Sequence, residues 1–256
     1  VNLVVSFQRF GWQIKTTRFS EQSPSLRRQP PWRSAALLKD STLPDVKIIS
    51  KGDVHRIETT VAGKVISFET GKIGRQASGA VVGQVGDTIV YSTACYEREA
   101  VALDFTPLKV DYFARFSAVG QTIGAFHRRD SRGDDSEILV ARLIDRPIRP
   151  VLLEGWQHDT QILAWVLSYD KIHSSEVLAI NCASAALAIS DIPISSPIAG
   201  VEVGLIDGQF IVNPTKEEMK RSELVLTLAG SRNGILMIEG VSRFVTEEQM
   251  MEALTV

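Results

Sequence analysis

The chain is poor in the residues that mark several specialised protein classes. Among its 256 residues there are only two cysteines, Cys95 and Cys182, which lie far apart in apolar segments. This spacing excludes a disulfide framework and a multi-cysteine metal site, so we predict free thiols in a reducing compartment and no metal site. No apolar run approaches the roughly 18 residues of a membrane-spanning helix, so we expect no membrane insertion.

Positive charge is also not in excess over the whole chain. The formal net charge is −2. Because 44% of the residues are hydrophobic, the chain can form a full core. A protein that coats nucleic acid by bulk charge would be strongly basic, so any nucleic-acid surface here must be local.

Acidic residues are scarce near the N-terminus. Between residues 1 and 43 seven basic residues accompany only Glu21 and Asp40, with many serines and threonines between them. This composition is typical of an organelle transit peptide, and an ordinary disordered tail is the alternative. We therefore expect residues 1–45 to be a disordered tail that directs the protein to a chloroplast or mitochondrion, and residues 46–256 to form the folded domain.

Basic and aromatic residues are concentrated in one segment, Gly124 to Pro150, which contains six arginines and the pair Phe126 and His127. Guanidinium groups bind phosphate oxygens bidentately, and aromatic rings stack on unpaired bases. The segment therefore predicts contact with a nucleic-acid backbone. The alternative is that its arginines form surface ion pairs with their acidic neighbours Asp130, Asp134, Asp135 and Glu137.

The remaining pattern predicts an α+β fold. Alternating apolar residues around short turns indicate strands over 54–61, 63–70, 105–112, 159–168, 224–228 and 235–238. Two more short strands are predicted within 77–94, separated at Gly86-Asp87, and a hairpin that turns at Asp207-Gly208 is predicted over 201–212. One helix is predicted from Ser136, ended by Arg146-Pro147. An alanine-rich helix over 177–190 is predicted to be capped by a serine of the turn Ser174-Ser175-Glu176 and to pack tightly against a sheet. A capping-box pattern at Thr246 predicts a final helix.

Several short motifs together resemble the first RNase PH-type core of polynucleotide phosphorylase, over about residues 54 to 256. The matching segments are 124–150, Gly74-Arg75-Gln76-Ala77, Gly86-Asp87-Thr88, 183–187, Ile192-Pro193 and Asn213-Pro214-Thr215. The resemblance implies an RNase PH-like (ribosomal protein S5 domain 2-like) β-α-β core with mixed sheets packed on helices. It also implies a homotrimeric ring that shortens single-stranded RNA from its 3′ end, with inorganic phosphate as co-substrate and nucleoside diphosphates as products. In this family a helical linker, a second core and KH and S1 modules follow, so we expect the chain to be part of a longer protein.

The resemblance also assigns RNA-binding residues. Arg128, Arg129 and Arg132 match the basic loop that grips strand phosphates at the channel entrance, and Phe126 and His127 match its paired aromatic positions. His127 replaces the commoner second phenylalanine, so RNA binding would become pH-dependent.

A further arginine set is interpreted as structural. Arg142 and Arg146 share a helix face, and Asp145 is placed to pair with Arg142 or Arg149.

The resemblance implies that this core does not carry the chemistry. In the competent core a serine-rich turn at a helix N-terminus holds phosphate, and Ser174 and Ser175 lie at the matching turn as a possible vestigial site. Glu176 beside them would repel phosphate. Glu223 and Val225 match a pair of aspartates, and valine neither binds metal nor transfers a proton. We expect no catalytic residue here, with Mg²⁺ bound outside this chain in the full-length enzyme.

Two other functions share this fold. A non-catalytic RNA-binding ring subunit of an exosome-like assembly is the main alternative. A stand-alone phosphorolytic RNase acting on tRNA ends is disfavoured by Val225.

Overall fold

Strands separated by short turns account for most of the chain that the structure describes. The computed structural model describes residues 46–122 and 133–256. Within these ranges the strands are β1 (Lys47–Lys51), β2 (Val54–Val61), β3 (Lys64–Thr70), β4 (Gly79–Val85), β5 (Thr88–Ala100), β6 (Leu108–Phe113), β7 (His158–Ser168), β8 (Ala199–Ile206), β9 (Gln209–Val212), β10 (Leu224–Ser231) and β11 (Gly234–Ser242). The helices are α1 (Asp135–Ile148), α2 (Ser175–Ile189), α3 (Lys216–Arg221) and α4 (Glu247–Ala253), with 3₁₀ turns at Phe116–Val119 and Arg149–Val151. The predicted α+β class is confirmed.

The larger sheet has seven strands in the order β1-β2-β3-β4-β5-β7-β6. Successive neighbours are antiparallel except β6 and β7, which are parallel and are connected through α1. A parallel pair needs such a long crossover, because a tight turn cannot return the chain in the same direction. The crossover contains residues 123–132, which lie outside the described residues.

The smaller sheet has four strands in the order β11-β10-β8-β9. Its β8–β9 hairpin turns at Asp207 and Gly208, whose φ angles are +50° and +75°. Two successive positive φ angles are those of the turn that matches the twist of a two-residue hairpin. The hairpin predicted at Asp207-Gly208 is therefore confirmed.

Helix α2 packs against strands of both sheets, including β4, β5, β7 and β8. It approaches β4 so closely that a Cβ at Gly83 would lie 2.2 Å from the Sγ of Cys182, and one at Gly79 would lie 2.0 Å from the carbonyl oxygen of Ala186. Only glycine leaves room for this approach. The helix is apolar on nearly all sides, which allows it to be enclosed between other elements of the domain.

The predicted end of helix α1 at Arg146-Pro147 is wrong. Pro147 lies inside the last turn, and α1 continues to Ile148, after which the backbone N–H of Arg149 donates to the carbonyl of Asp145. Proline removes one helical hydrogen bond, but Pro147 and Ile148 are both buried, with Ile148 fully enclosed in the core. Burial of these apolar side chains outweighs the missing bond.

Other boundaries also differ from the sequence prediction. Strand β6 begins at Leu108 and not at Phe105, and the sequence pattern predicts neither β1 nor α3. Residues 47–256 form one compact unit. The predicted tail, residues 1–45, lies outside the described residues. In the described part of the chain no helix is both long and apolar enough to span a bilayer.

The tight contact between α2 and β4 predicts that Gly83→Ala destabilises the protein. The new methyl group would overlap Cys182 and approach the Cδ1 of Leu178 to 3.1 Å. Overpacking of this kind costs about 1–3 kcal/mol, measurable as a lower midpoint of urea unfolding. The double variant with Cys182→Ala restores space and should recover part of this stability. Unchanged stability of Gly83→Ala would contradict the packing described.

Candidate functional site

The predicted RNA-binding residues Phe126, His127, Arg128, Arg129 and Arg132 lie in the segment 123–132, outside the described residues. The structure describes the chain on both sides of this segment. Before it, the 3₁₀ turn Phe116–Val119 ends at Gly120, and the carbonyl of Ala118 accepts from the backbone N–H of Tyr169 at 2.9 Å. The chain shortly before this segment is therefore bonded to the residue that follows β7.

The predicted pairing of Asp145 is confirmed for Arg149. The Arg149 guanidinium donates to the Asp145 carboxylate at 2.7 and 3.2 Å, and also to the carbonyls of Thr106 and Leu108. These bonds attach the end of α1 to the start of β6. Arg146 forms an ion pair with Glu239 of β11, so it connects α1 with the smaller sheet. Both arginines hold elements together, as the structural interpretation predicts.

The first turn of α2 brings together the two serines predicted as a vestigial phosphate site. The Ser174 hydroxyl oxygen accepts from the backbone N–H of Val177 and donates to Glu176 at 2.7 Å. The Ser175 hydroxyl is buried and accepts from the hydroxyl of Tyr112 at 3.0 Å. Burial raises the pKa of Tyr112 strongly, so this phenol stays a donor. Both serine hydroxyls are thus engaged inside the domain.

Two carboxylates and one ammonium group lie beside this turn. The Lys216 Nζ lies 3.3 Å from the Oε2 of Glu176, and Glu202 projects from β8 into the same region. Glu202 is only 7% exposed, and its Oε2 has no hydrogen-bond partner in the described structure. We refer to Glu176, Glu202 and Lys216 as the acidic cluster.

The protonation of the acidic cluster follows from its contacts. Burial opposes ionisation of Glu176, but the Lys216 charge and the Ser174 hydroxyl outweigh it and lower the Glu176 pKa. For Glu202 burial dominates over the attraction of Lys216, so its pKa is raised. Burial alone would lower the Lys216 pKa, yet the two carboxylates raise it. Lys216 is therefore cationic at neutral pH, and Glu176 is its ionised partner.

This arrangement does not fit a bound phosphate. A helix N-terminus favours an anion through its free N–H groups and its dipole, and here the chain's own Glu176 carboxylate lies in the first turn. A phosphate at the same place would meet the like charge of Glu176. The geometry agrees with the helix-capping interpretation of Ser174.

The residues that match the aspartate pair also do not fit a Mg²⁺ site. Val225 has no ligating atom and lies in the middle of the smaller sheet, paired with Gly204 and Val241. Glu223 is exposed. In residues 46–122 and 133–256 no group of three or more His, Cys, Asp or Glu side chains is placed to hold a metal ion.

A second polar contact lies at the same end of α2. His173 Nδ1 lies 2.6 Å from the carboxylate of Asp170, which also accepts from the backbone N–H groups of Ile172 and His173. Burial opposes ionisation of Asp170, but these hydrogen bonds prevail and lower its pKa strongly. The loop that leads into α2 is therefore held in one conformation.

Two members of the acidic cluster, Glu202 and Lys216, are absent from the site residues predicted from the sequence. Lys216 is the first residue of α3, and Thr215 with Glu218 forms a capping box, which is a recognisable start signal. Nothing in the sequence near Glu202 indicates burial of a carboxylate, because it alternates with apolar residues as an exposed strand position would.

The acidic cluster predicts opposite effects for two matched substitutions. Glu176→Gln removes a carboxylate whose folded-state pKa is lowered, so stability present above its unfolded pKa is lost, and the variant melts at a lower temperature at pH 7. Glu202→Gln replaces a carboxylate with a raised pKa, whose destabilising effect develops as the pH rises from the unfolded-state pKa to the raised folded-state pKa. This variant should therefore gain melting temperature relative to the parent between pH 4 and pH 7. A fall in melting temperature for both variants at pH 7 would contradict the assignment.

Comparison with known proteins identifies the fold and the family. Residues 62–193 match the model described as "3' exoribonuclease family, domain 1", and residues 196–256 match "3' exoribonuclease family, domain 2". The crystal structure of rice (Oryza sativa) Rrp46 superposes with a TM-score of 0.60 at 19% identity, covering 74% of this chain and 85% of that chain. At this identity the likeness shows the fold alone, and it confirms the RNase PH-like architecture.

Curated relatives are similar over most of the chain. A polyribonucleotide nucleotidyltransferase of Protochlamydia amoebophila is 52% identical over 201 residues, which cover 78% of this chain and 29% of that protein. A probable chloroplastic polyribonucleotide nucleotidyltransferase 1 of Oryza sativa subsp. japonica is 50% identical over 195 residues, 76% of this chain and 22% of that protein. The chain thus spans less than a third of the length of these relatives. By its family-model matches, which together span residues 62–256 almost without interruption, the chain belongs to the 3′ exoribonuclease family, and within that family it is similar to the polyribonucleotide nucleotidyltransferases.

Proposed function

We propose that the chain supplies the RNA-gripping half of a polyribonucleotide nucleotidyltransferase, a phosphorolytic 3′-to-5′ exoribonuclease. Such an enzyme degrades single-stranded RNA with inorganic phosphate and releases nucleoside diphosphates, and it acts in RNA processing and mRNA decay. The observation that carries this proposal is the identity of 52% over 201 residues to a polyribonucleotide nucleotidyltransferase. The chain covers only 29% of that relative. We therefore assign the chemical step, with its phosphate and metal sites, to regions of the full-length enzyme outside this chain.

Gripping of RNA is assigned to Phe126, His127, Arg128, Arg129 and Arg132. The arginines would bind successive phosphates without reading the base sequence, and the two rings would stack on a base.

The chemical step is assigned to residues outside this chain. The acidic cluster lies at the turn where a competent core would hold phosphate, and Val225 replaces a carboxylate. Inorganic phosphate and Mg²⁺ would therefore bind in the second core of the full-length enzyme. A homotrimeric ring would bring the gripping segment and the chemical site onto the path of one RNA strand.

The similar proteins bear on the location of the protein and on the choice between the two candidate functions. The rice relative is described as chloroplastic, and the Protochlamydia relative is bacterial. Together with the basic, acid-poor composition of residues 1–45, this supports a chloroplast or mitochondrion. A non-catalytic ring subunit of an exosome-like assembly has support only from fold similarity at 19% identity, so the phosphorolytic enzyme is favoured.

Replacing Arg128 and Arg129 together by Ala should weaken binding of a fluorescent 20-nucleotide oligo(A). Neutralising each phosphate of a single strand releases counterions, so the slope of log Kd against log salt should become shallower by about 0.7 for each phosphate that the variant no longer binds. The matched control is Arg232→Ala with Arg243→Ala, which makes the same charge change at exposed positions beside the smaller sheet. An equal effect of both pairs would show that bulk charge, and not the segment 123–132, binds RNA.

The purified 256-residue chain should release no nucleoside diphosphate from poly(A) in the presence of inorganic phosphate and Mg²⁺. This expectation rests on the Glu176 carboxylate in the first turn of α2, which would repel phosphate, and on Val225, which has no atom that binds a metal ion. Product formation is measured by chromatography, with a full-length polyribonucleotide nucleotidyltransferase as the positive control. Robust release by the chain alone, abolished by Ser174→Ala, would place the chemistry in this core.

A further inference from the structure

The turn between β10 and β11 contains the one Asn-Gly dipeptide of the sequence, Asn233-Gly234. Ser231 and Gly234 are paired across this turn, so Arg232 and Asn233 form its tip. Arg232, Asn233 and Gly234 are all exposed, and β11 is an edge strand of the smaller sheet. Solvent therefore reaches both residues of the dipeptide.

The turn itself requires glycine after Asn233. The φ angle of Gly234 is +150°, a conformation that residues with a side chain rarely adopt. Apart from the two chain neighbours, a Cβ at this position would have no atom within 4 Å, so the space beside the Gly234 backbone is open. The backbone N–H of Asn233 donates to the hydroxyl oxygen of Ser231 at 3.2 Å, within the same turn. The fold thus places a sterically unhindered glycine directly after an exposed side-chain amide.

The other two asparagines among the described residues have different surroundings. Asn181 lies within α2, where its side-chain amide donates to the carbonyl of Gly200 and accepts from the Gly200 N–H. Asn213 is followed by Pro214, whose backbone nitrogen carries no proton. Neither asparagine therefore combines an exposed amide with a reactive backbone nitrogen on the next residue.

We propose that Asn233 is a site of spontaneous deamidation. The backbone nitrogen of Gly234 loses its proton to water and attacks the Cγ of Asn233, so that a new Cγ–N bond forms. The Cγ–Nδ2 bond then breaks and ammonia leaves, which gives a five-membered succinimide. Water opens this ring at one of its two carbonyl carbons, and the product is aspartate or isoaspartate.

Deamidation changes the charge and the backbone at the tip of the hairpin. Each event replaces a neutral amide by a carboxylate next to Arg232, so the formal net charge becomes one unit more negative than −2. Isoaspartate also adds one methylene group to the backbone of the turn. Since β11 is paired with β10 on one side and lies at the edge of its sheet, this end of the hairpin opens readily to solvent.

The experiment is peptide mapping of the purified chain after incubation at 37 °C and pH 8. We expect the peptide that contains Asn233 to gain about one dalton, the mass difference between an amide and an acid, before the peptides that contain Asn181 or Asn213. An isoaspartyl methyltransferase should label the same peptide. Mapping separates this label from isoaspartate at Asp207-Gly208, which forms without a change in mass. The rate should rise between pH 6 and pH 8, because the attacking nitrogen must lose its proton.

Asn233→Gln is the matched control, because it keeps a side-chain amide but would have to close a six-membered ring, which forms more slowly. In this variant the mass change at position 233 should disappear. Incubation of the parent chain in urea tests the effect of the fold on the reaction. Deamidation of Asn233 in the folded chain should be at most about tenfold slower than in urea, since opening the end of an edge strand costs little free energy. A larger retardation by the fold, or earlier deamidation of Asn181 or Asn213, would overturn the assignment.

Discussion

The close approach of α2 to β4 is the constraint that sets the arrangement of this domain. Glycines at positions 79 and 83 let the helix backbone come within contact distance of the sheet, and the small side chains of α2 leave no gap between them. Because α2 also contacts β8, it connects the two sheets, and the cluster of buried apolar residues around it includes Ala229 and Met237 of the smaller sheet. Its first turn is thereby placed beside β8 and the start of α3, where the acidic cluster forms.

At the start of α2, a position that favours a bound anion is taken by a carboxylate of the chain itself. The free N–H groups at the start of α2 favour negative charge, and Glu176 supplies it from the same turn. Lys216 compensates this charge from α3, whereas Glu202 lies buried nearby, and its Oε2 has no hydrogen-bond partner among the described residues. The cost of burying Glu202 is offset by the surrounding core, since Val203 and Leu205 of the same strand are almost fully buried. The start of α2 thus carries its own negative charge beside the ammonium group of Lys216.

Helix α1 has contacts at both ends that set its position against the larger sheet. At its start Glu137 bonds Ala114, and at its end Arg149 bonds the carbonyls of Thr106 and Leu108. Since these bonds lie at the two ends of β6, they hold α1 in a defined position along the strand. The segment 123–132 lies in the connection between β6 and α1. The hydrogen-bonded residues of the strand and the helix therefore define where that connection begins and ends.

Features that involve only neighbouring residues follow from the amino-acid sequence alone. The hairpin at Asp207-Gly208, the cap of α2 at Ser174 and the pair Asp145–Arg149 all involve groups within four residues of each other, and local turn, cap and helix geometry decides them. The motif resemblance also places the chain in its family, which the comparisons confirm. Three other features depend on the folded chain: α1 continues through Pro147, Glu176 meets Lys216, and Glu137 reaches Ala114. In each of these cases the deciding partner is remote in sequence or is the core itself, and packing, not local preference, brings it into contact.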